Sequence, residues 1–285
     1  MHALPFLLAL ASAAVLAPGV LRMLSDGGHV KANYRARTLP FPFGVLALAA
    51  ALLALIPLML VQVLGSSDVF HPEIFPIAVY VVGVLALGLI DDTLGDRSEG
   101  GQRGGRPAPR GWRGHGGALL RGELSTGALK AGGSLGLALL AMSWLGLSNG
   151  RWLLAAAVLV LATNVFNLLD LRPGRSTKAF VLLGLGLGLG SGEVRPLWGL
   201  GLFVAPALVA GLFDLRERAM LGDTGANLLG ALAGLWLVLT LSGTGQLVAL
   251  ALLVVLTVYG ELRSISALVE RTPGLRQLDS LGRPA

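Results

Sequence analysis

Residues Phe43–Leu64, FGVLALAAALLALIPLMLVQVL, form an apolar stretch without a single charged side chain. About 20 such residues are enough for an α-helix to cross the hydrocarbon core of a bilayer. Hydrophobic residues make up 54% of the 285-residue chain and charged residues 13%, roughly half of the charged share that a soluble domain carries. The composition therefore argues against a soluble globular enzyme and against a disordered or fibrous chain.

Nine stretches of the chain have the apolar character of membrane-spanning helices. They are Leu4–Leu21, Phe43–Leu64, Ile74–Ile90, Ala131–Leu147, Trp152–Leu169, Ala179–Gly190, Leu197–Phe213, Ala226–Leu241 and Leu247–Tyr259. The first stretch also resembles the apolar part of a signal peptide, but no Lys or Arg precedes it, which favours a retained span. The predicted fold class is all-α, a polytopic helical bundle in a membrane.

The basic residues predict the orientation of these spans. If the N-terminus is outside, 20 of the 22 Lys and Arg residues lie on the inside, and only Arg151 and Arg195 lie outside. Positive charge accumulates in cytoplasmic loops, so the C-terminus is predicted to be cytoplasmic. This distribution explains the net charge of +6 without a nucleic-acid partner, and the basic loops can face anionic membrane lipids.

The predicted organisation has two parts. Residues 1–262 form the transmembrane domain, which includes a long cytoplasmic loop at residues 91–130. Residues 263–285 form a cytoplasmic C-terminal tail.

Acidic residues mark the inner ends of several predicted spans. They are Asp91, Asp92, Asp170, Asp214 and Asp223. A carboxylate at the edge of the hydrocarbon is costly unless it is paired, hydrated or bound to a cation. Asp91 and Asp92 are adjacent and repel each other, and Mg²⁺ takes one or two carboxylates together with substrate phosphates. The alternatives are a solvated helix end for this pair and an ordinary N-cap for Asp223.

Polar side chains also form a stripe at the end of the fifth predicted span. Asn164, Asn167 and Asp170 follow each other at intervals of three residues and share one side of a helix. Such groups within a membrane usually face a bundle interior or a cavity. Hydrogen bonding between helices is the alternative explanation.

Basic residues accompany the acids and amides on the inside. Lys130, Arg172 and Arg175 are suited to binding phosphates, although they also serve as topology signals. The chain has no Cys and only four His, which argues against thiolate chemistry and a histidine-rich zinc site. Acids for a divalent cation, amides and cations at a membrane face suit a reaction between a nucleotide diphosphate compound and a lipid phosphate.

Three motifs carry a resemblance to a known family. They are LIDD at Leu89–Asp92, NVFNLLD at Asn164–Asp170 with Gly174 following, and GDTGAN at Gly222–Asn227. In order and spacing they resemble the polyprenyl-phosphate N-acetylhexosamine-1-phosphate transferases. These include phospho-N-acetylmuramoyl-pentapeptide transferase and the transferases that place N-acetylglucosamine phosphate on undecaprenyl phosphate. The similarity extends from NYRARTLP at Asn33–Pro40 to the tail ELRSISALVERTPGLRQLDSLGR.

The resemblance implies a reaction and a place for it. A sugar-1-phosphate would pass from a UDP-sugar to a polyprenyl phosphate such as undecaprenyl phosphate, with Mg²⁺ as cofactor and UMP as product. The reaction would take place at the cytoplasmic face of a bacterial plasma membrane, in the synthesis of cell-wall glycans such as peptidoglycan. Members of this family are often dimers, so a homodimer is an expected assembly.

The resemblance also implies residue roles. Asp223 is expected to bind the metal, together with Asp92, and Asp91 and Asp92 are expected to position the lipid phosphate or act as base. Asp91, Asp92 and Asp223 are thus the expected catalytic residues. The expected substrate-binding residues are Lys130, Asn164, Asn167, Asp170, Arg172 and Arg175, among which Asn167 and Asp170 would line the nucleotide site and Lys130 would approach the phosphates.

The chain departs from the family pattern at two motif positions. Pro173 stands where the family commonly has a second Asp, and Met220 stands where it usually has an aromatic residue. These departures favour an alternative, a catalytically inactive homologue of the same fold that binds a lipid phosphate or a partner in envelope synthesis. A small transporter is a third hypothesis, because intramembrane acids can carry protons or ions.

Overall fold

In a computed structural model of the chain, the structure describes residues 2–95 and 125–284. Helix accounts for 77% of it. The only sheet among the described residues is a hairpin of β1 (Val30–Ala32) and β2 (Thr38–Pro40), antiparallel, with Lys31 opposite Leu39. This confirms the predicted all-α class.

The helices follow each other along the chain with short connections. They are α1 (Leu4–Asp26), α2 (Val45–Leu64), α3 (Ile74–Ile90), α4 (Thr126–Ser143), α5 (Asn149–Leu169), α6 (Arg175–Ser191), α7 (Arg195–Gly199), α8 (Gly201–Leu215), α9 (Gly222–Thr240), α10 (Gly243–Leu262), α11 (Ile265–Arg271) and α12 (Pro273–Ser280). A short π-helical segment, Asp91–Gly95, continues α3.

Six of the helices in the described ranges are long and apolar enough to cross a membrane. They are α1, α2, α3 with its π-helical continuation, α5, α9 and α10. The remaining three predicted spans coincide with α4, α6 and α8, of which α8 is apolar but only 15 residues long. All nine predicted stretches are therefore helical, and six have the length and composition of a membrane span.

Helix α9 forms the centre of the bundle. Within its apolar window 83% of the residues are buried, against 17% for α10, and it packs against α3, α5, α6 and α8. Glycines allow this packing: a Cβ on Gly230 would lie 2.6 Å from the Cα of Thr163, and one on Gly234 would lie 3.0 Å from the Cα of Leu159. Small residues let helix backbones approach closely within membranes.

The predicted loop and tail contain more helix than expected. Residues 96–124 of the predicted loop 91–130 lie outside the described residues. At its two ends, Asp91–Gly95 continues the helix before it, and Lys130 lies within α4, whose N-cap is Ser125. The tail forms α11 and α12, which lie beside the start of α6. These features bring residues of both segments next to the predicted site.

Candidate functional site

Lys130 joins two of the sequence motifs. From α4 its ammonium donates to Asp91 Oδ2 at 2.9 Å, and it also donates to Asp223 Oδ2 at the start of α9. The Lys130 side chain is only 19% exposed. An ammonium between two carboxylates offsets the repulsion that would otherwise separate them. The motifs LIDD and GDTGAN therefore meet around one basic side chain.

Asp92 caps the start of α9 from the neighbouring helix. Its Oδ1 accepts from the Asp223 backbone N–H at 2.9 Å, and its Oδ2 accepts from the backbone N–H and the hydroxyl of Thr224 at 2.8 and 2.6 Å. The first N–H groups of a helix have no partner within the helix and favour negative charge. Asp92 thus supplies the cap that was one explanation for Asp223, whose carboxylate is turned towards Lys130 instead.

Two glycines permit this close approach of α3 to α9. A Cβ on Gly88 would lie 2.6 Å from the carbonyl oxygen of Asp223, so only glycine fits at this crossing. Gly222 has φ +71°, and a Cβ there would lie 2.6 Å from Asp92 Oδ2. The glycine of the GDTGAN motif therefore provides a backbone conformation that other residues rarely adopt and leaves room for the capping carboxylate.

Asn167 of α5 completes the group. With its amide nitrogen facing Asp223, it donates to Asp223 Oδ1 at 3.1 Å and accepts from Lys130 Nζ at 3.3 Å; this orientation satisfies both of its amide atoms. We define the acid–lysine cluster as Asp91, Asp92, Lys130, Asn167 and Asp223. Its members come from α3 with the π-helical segment, α4, α5 and α9.

Asn164, one turn earlier on α5, lies apart from this cluster. Its amide nitrogen donates to the hydroxyl of Thr257 on α10 at 3.4 Å. The Thr257 side chain is buried, so this contact lies between two helices. The structure thus places Asn164 in the interhelical role that was the alternative for the polar stripe.

Asp170 ends α5 and has no basic partner among the described residues. Burial and, next, the nearby carboxylate of Asp214 raise the pKa of Asp170 well above its usual range. The charges of Asp223 and Asp92 act in the same direction. Asp170 therefore adds a further acid close to the cluster, where a cation or a hydrogen-bond acceptor of a ligand would be stabilised.

The two predicted arginines are engaged elsewhere. The Arg172 guanidinium lies 4.5 Å from the centre of the Tyr34 ring and 3.4 Å from Glu270. Arg175 is buried and forms a two-pronged pair with Asp279 of the tail, through Nε at 2.8 Å and Nη2 at 3.1 Å. Neither guanidinium contacts the acid–lysine cluster in this conformation.

Two buried acids support the loops around the site. Asp214 accepts from the backbone N–H groups of Gly174 at 2.6 Å and Leu221 at 3.3 Å, so it ties the loop after α5 to the loop before α9. Glu217 accepts from Asn33 at 3.1 Å and from the Tyr34 hydroxyl at 3.3 Å.

Asp214 was recognised as one of the inner acids, but its structural role depends on contacts that no local pattern encodes. Glu217 was missed altogether. The NYRARTLP segment that binds it was visible in the sequence, but no local signal links the two.

The cluster contains ligands that suit a hard cation. Carboxylate and amide oxygens are what Mg²⁺ prefers, and Mg²⁺ typically uses one or two protein carboxylates with water and phosphate oxygens. Asp91 and Asp223 already share a cation, the Lys130 ammonium, so a positive charge is accommodated between them. Asp92 is less suited, because hydrogen bonds from α9 engage both of its oxygens. The residues present fit Mg²⁺ held by Asp223 and Asp91.

Comparison with models of known protein families finds no match, and a search of curated proteins finds no relative. The functional argument therefore depends on the site itself.

Proposed function

We propose that this chain is an integral membrane phosphotransferase of the polyprenyl-phosphate hexosamine-1-phosphate transferase type. It would transfer a sugar-1-phosphate from a UDP-sugar to a polyprenyl phosphate and release UMP. The observation that carries this proposal is the acid–lysine cluster, in which Lys130 bridges Asp91 and Asp223. A cation-binding acid pair next to a lysine, at the ends of apolar helices, is a suitable environment for phosphates that come from both the lipid and the aqueous phase.

The proposed reaction is a displacement at phosphorus. An oxygen of the polyprenyl phosphate attacks the β-phosphorus of the UDP-sugar, and the bond between this phosphorus and the UMP oxygen breaks. The sugar-1-phosphate is then attached to the lipid through a diphosphate, and UMP leaves with the electron pair. Metal binding at Asp223 and Asp91 would offset the negative charge of the donor phosphates.

The side chains of the cluster have separate roles in this proposal. Lys130 has three N–H donors, and Mg²⁺ binding between the acids would free its ammonium to contact a phosphate. Asn167 would bind a donor oxygen through its amide. The contacts of Asp92 with α9 support a positioning role, in which it keeps Asp223 and Lys130 aligned, rather than direct contact with the substrates.

We also propose that the cluster faces the cytoplasm of a bacterial cell, with all nine predicted stretches spanning the membrane. The charge asymmetry of the sequence supports this orientation. Because the chain has no Cys, single cysteines report accessibility without background. An impermeant maleimide should label Ser148→Cys, between α4 and α5, in intact cells, and Gln277→Cys in the tail only after permeabilisation. The reverse pattern would contradict the orientation.

The experiment that tests the activity is UMP release by the purified protein in detergent. Undecaprenyl phosphate, Mg²⁺ and a panel of UDP-sugars would be supplied, with EDTA and Asp223→Asn as controls. We expect release with at least one donor, and loss of release in both controls. Full activity of Asp223→Asn would contradict the metal assignment. No release with any donor, together with binding of the lipid phosphate, would favour the catalytically inactive homologue.

A further inference from the structure

The C-terminal tail is tied to the start of α6 by one carboxylate and two arginines. Asp279 of α12 accepts from Arg175 at 2.8 and 3.1 Å and from Arg283 at 2.8 and 3.0 Å. The side chains of these residues are only 7 to 12% exposed. We call these three residues the tail clasp. Charge-assisted bidentate pairs of this kind fix orientation as well as distance.

Polar contacts dominate the docking of α12. No residue of this helix is fully buried, so hydrophobic burial contributes little. Lys178 donates to the backbone carbonyls of Leu278 at 3.0 Å and Leu281 at 3.1 Å, and also to that of Asp279. A cation at the end of a helix satisfies carbonyls that lack partners within the helix. The tail is therefore held where it is by α6, and by charge.

The clasp reaches the loop that connects the predicted donor-site residues to α6. Arg283 donates through Nε to the carbonyl oxygen of Pro173 at 2.7 Å, one residue before Gly174, where Asp214 binds the backbone. Arg175, at the other end of the clasp, begins α6. The loop between Asp170 and Arg175 is thus held by the tail on one side and by Asp214 on the other.

We propose that Asp279 is a positioning residue, which acts through Arg175 and Arg283 to hold the Asp170–Gly174 loop in its donor-binding conformation. The role in donor binding rests on the proposed function, whereas the physical coupling of tail to loop does not. Asp170 has no basic partner to fix it among the described residues, so the conformation of this loop depends on its flanking contacts. A tail that detaches would release Pro173 and leave the Arg175 guanidinium without its carboxylate.

The test compares Asp279→Asn with the wild-type protein by hydrogen–deuterium exchange in detergent, without any substrate. The matched control is Arg276→Gln, because Arg276 is exposed on the same helix and forms no ion pair with the described residues. In Asp279→Asn we expect exchange to become at least about tenfold faster in the tail and also in residues 170–178. Arg283→Gln should produce the same pattern, and combining the two substitutions should add little.

A kinetic measurement separates positioning from general damage. Where UMP release is detectable, Asp279→Asn should raise the KM for the UDP-sugar roughly tenfold, with kcat changed less than about twofold. Asp279→Glu, which keeps the charge, should recover much of the wild-type KM.

Faster exchange confined to the tail, with residues 170–178 unchanged, would overturn the proposal, because the clasp would then hold only the tail. Equal effects of Arg276→Gln would do the same. If no donor supports UMP release even in the wild-type protein, the proposed function fails, while the exchange experiment still decides whether the clasp couples tail and loop.

Discussion

Removal of the Lys130 ammonium should destabilise the protein in a way that Mg²⁺ partly reverses. Lys130 bridges Asp91 and Asp223, and the three side chains are 19%, 20% and 32% exposed. In Lys130→Met two charge-assisted hydrogen bonds disappear, each worth about 1.5 to 3 kcal/mol. Partial exposure places each near the lower value, so the expected loss in the free energy of unfolding is about 3 kcal/mol.

This loss converts into a measurable temperature shift. At roughly 2 to 4 °C per kcal/mol for a protein of this size, Tm in EDTA should fall by about 6 to 12 °C, followed by the intrinsic fluorescence of the tryptophans. Mg²⁺ at ten times its Kd stabilises the folded state by about 1.4 kcal/mol. The variant should therefore gain about 3 to 6 °C on addition of Mg²⁺, which is more than the wild-type protein gains, because Lys130 competes with the metal for the same oxygens.

The control for this experiment is Arg218→Met, which removes an exposed basic residue without an ion pair among the described residues. It should leave Tm within about 1 °C of the wild-type value, as surface substitutions away from special features usually do. If Lys130→Met in EDTA also melted within this margin, the bridge between the acids would not exist, and the reasoning about the cluster would be refuted.

Three further predictions concern the surroundings of the cluster. Asp92→Asn should lower the free energy of unfolding by about 1 to 2 kcal/mol, since it weakens the cap of α9, and thermal unfolding measures this loss. Gly88→Ala should cost about 1 to 3 kcal/mol, because its Cβ would meet the backbone of α9 at 2.6 Å. Although burial raises the pKa of Asp279, hydrogen bonds from Arg175 and Arg283 outweigh it and lower the pKa from 3.8 to about 2. Because the folded pKa is the lower one, this stabilisation is present above pH 4 and is lost as the pH falls towards 2.

Each of these predictions has its own control. Gly136→Ala, also within a helix but with open space around its Cβ, should be neutral or slightly stabilising, and equal losses at both glycines would refute the packing argument. Asp92→Asn with unchanged unfolding would show that the cap contributes nothing. For Asp279, the difference in Tm between the wild-type protein and Asp279→Asn should shrink between pH 4 and 2; a constant difference would contradict the depressed pKa.

The sequence predicted the class of the fold because a membrane helix has a local signature. A run of apolar residues such as Phe43–Leu64 identifies a helix without any knowledge of its neighbours. The uneven distribution of Lys and Arg made it reasonable to expect Asp91, Asp170 and Asp223 on the same side. Their closeness in the structure agrees with this expectation, although the topology itself stays a prediction.

The partners of individual side chains were harder to predict, because they depend on how helices rotate and cross. The spacing of Asn164 and Asn167 places both on one side of α5, yet Asn164 pairs with α10 and Asn167 joins the cluster. Similarly, Arg175 and Asp279 are 104 positions apart. A basic residue at an inner helix end is compatible with a phosphate or with a carboxylate, and only the folded tail distinguishes the two in this conformation.

The central claim is that the protein transfers a phosphoryl group, and the fate of the donor's β-phosphorus tests it most directly. A UDP-sugar carrying ³²P at the β-position would be incubated with undecaprenyl phosphate, Mg²⁺ and the protein, and the lipid and aqueous phases would be separated. We predict that the label moves into the lipid phase, that unlabelled UMP accumulates in equal amount, and that Asp223→Asn abolishes both. Label that stays in the aqueous phase as UDP while sugar enters the lipid would contradict phosphoryl transfer, and with it the role assigned to the acid–lysine cluster.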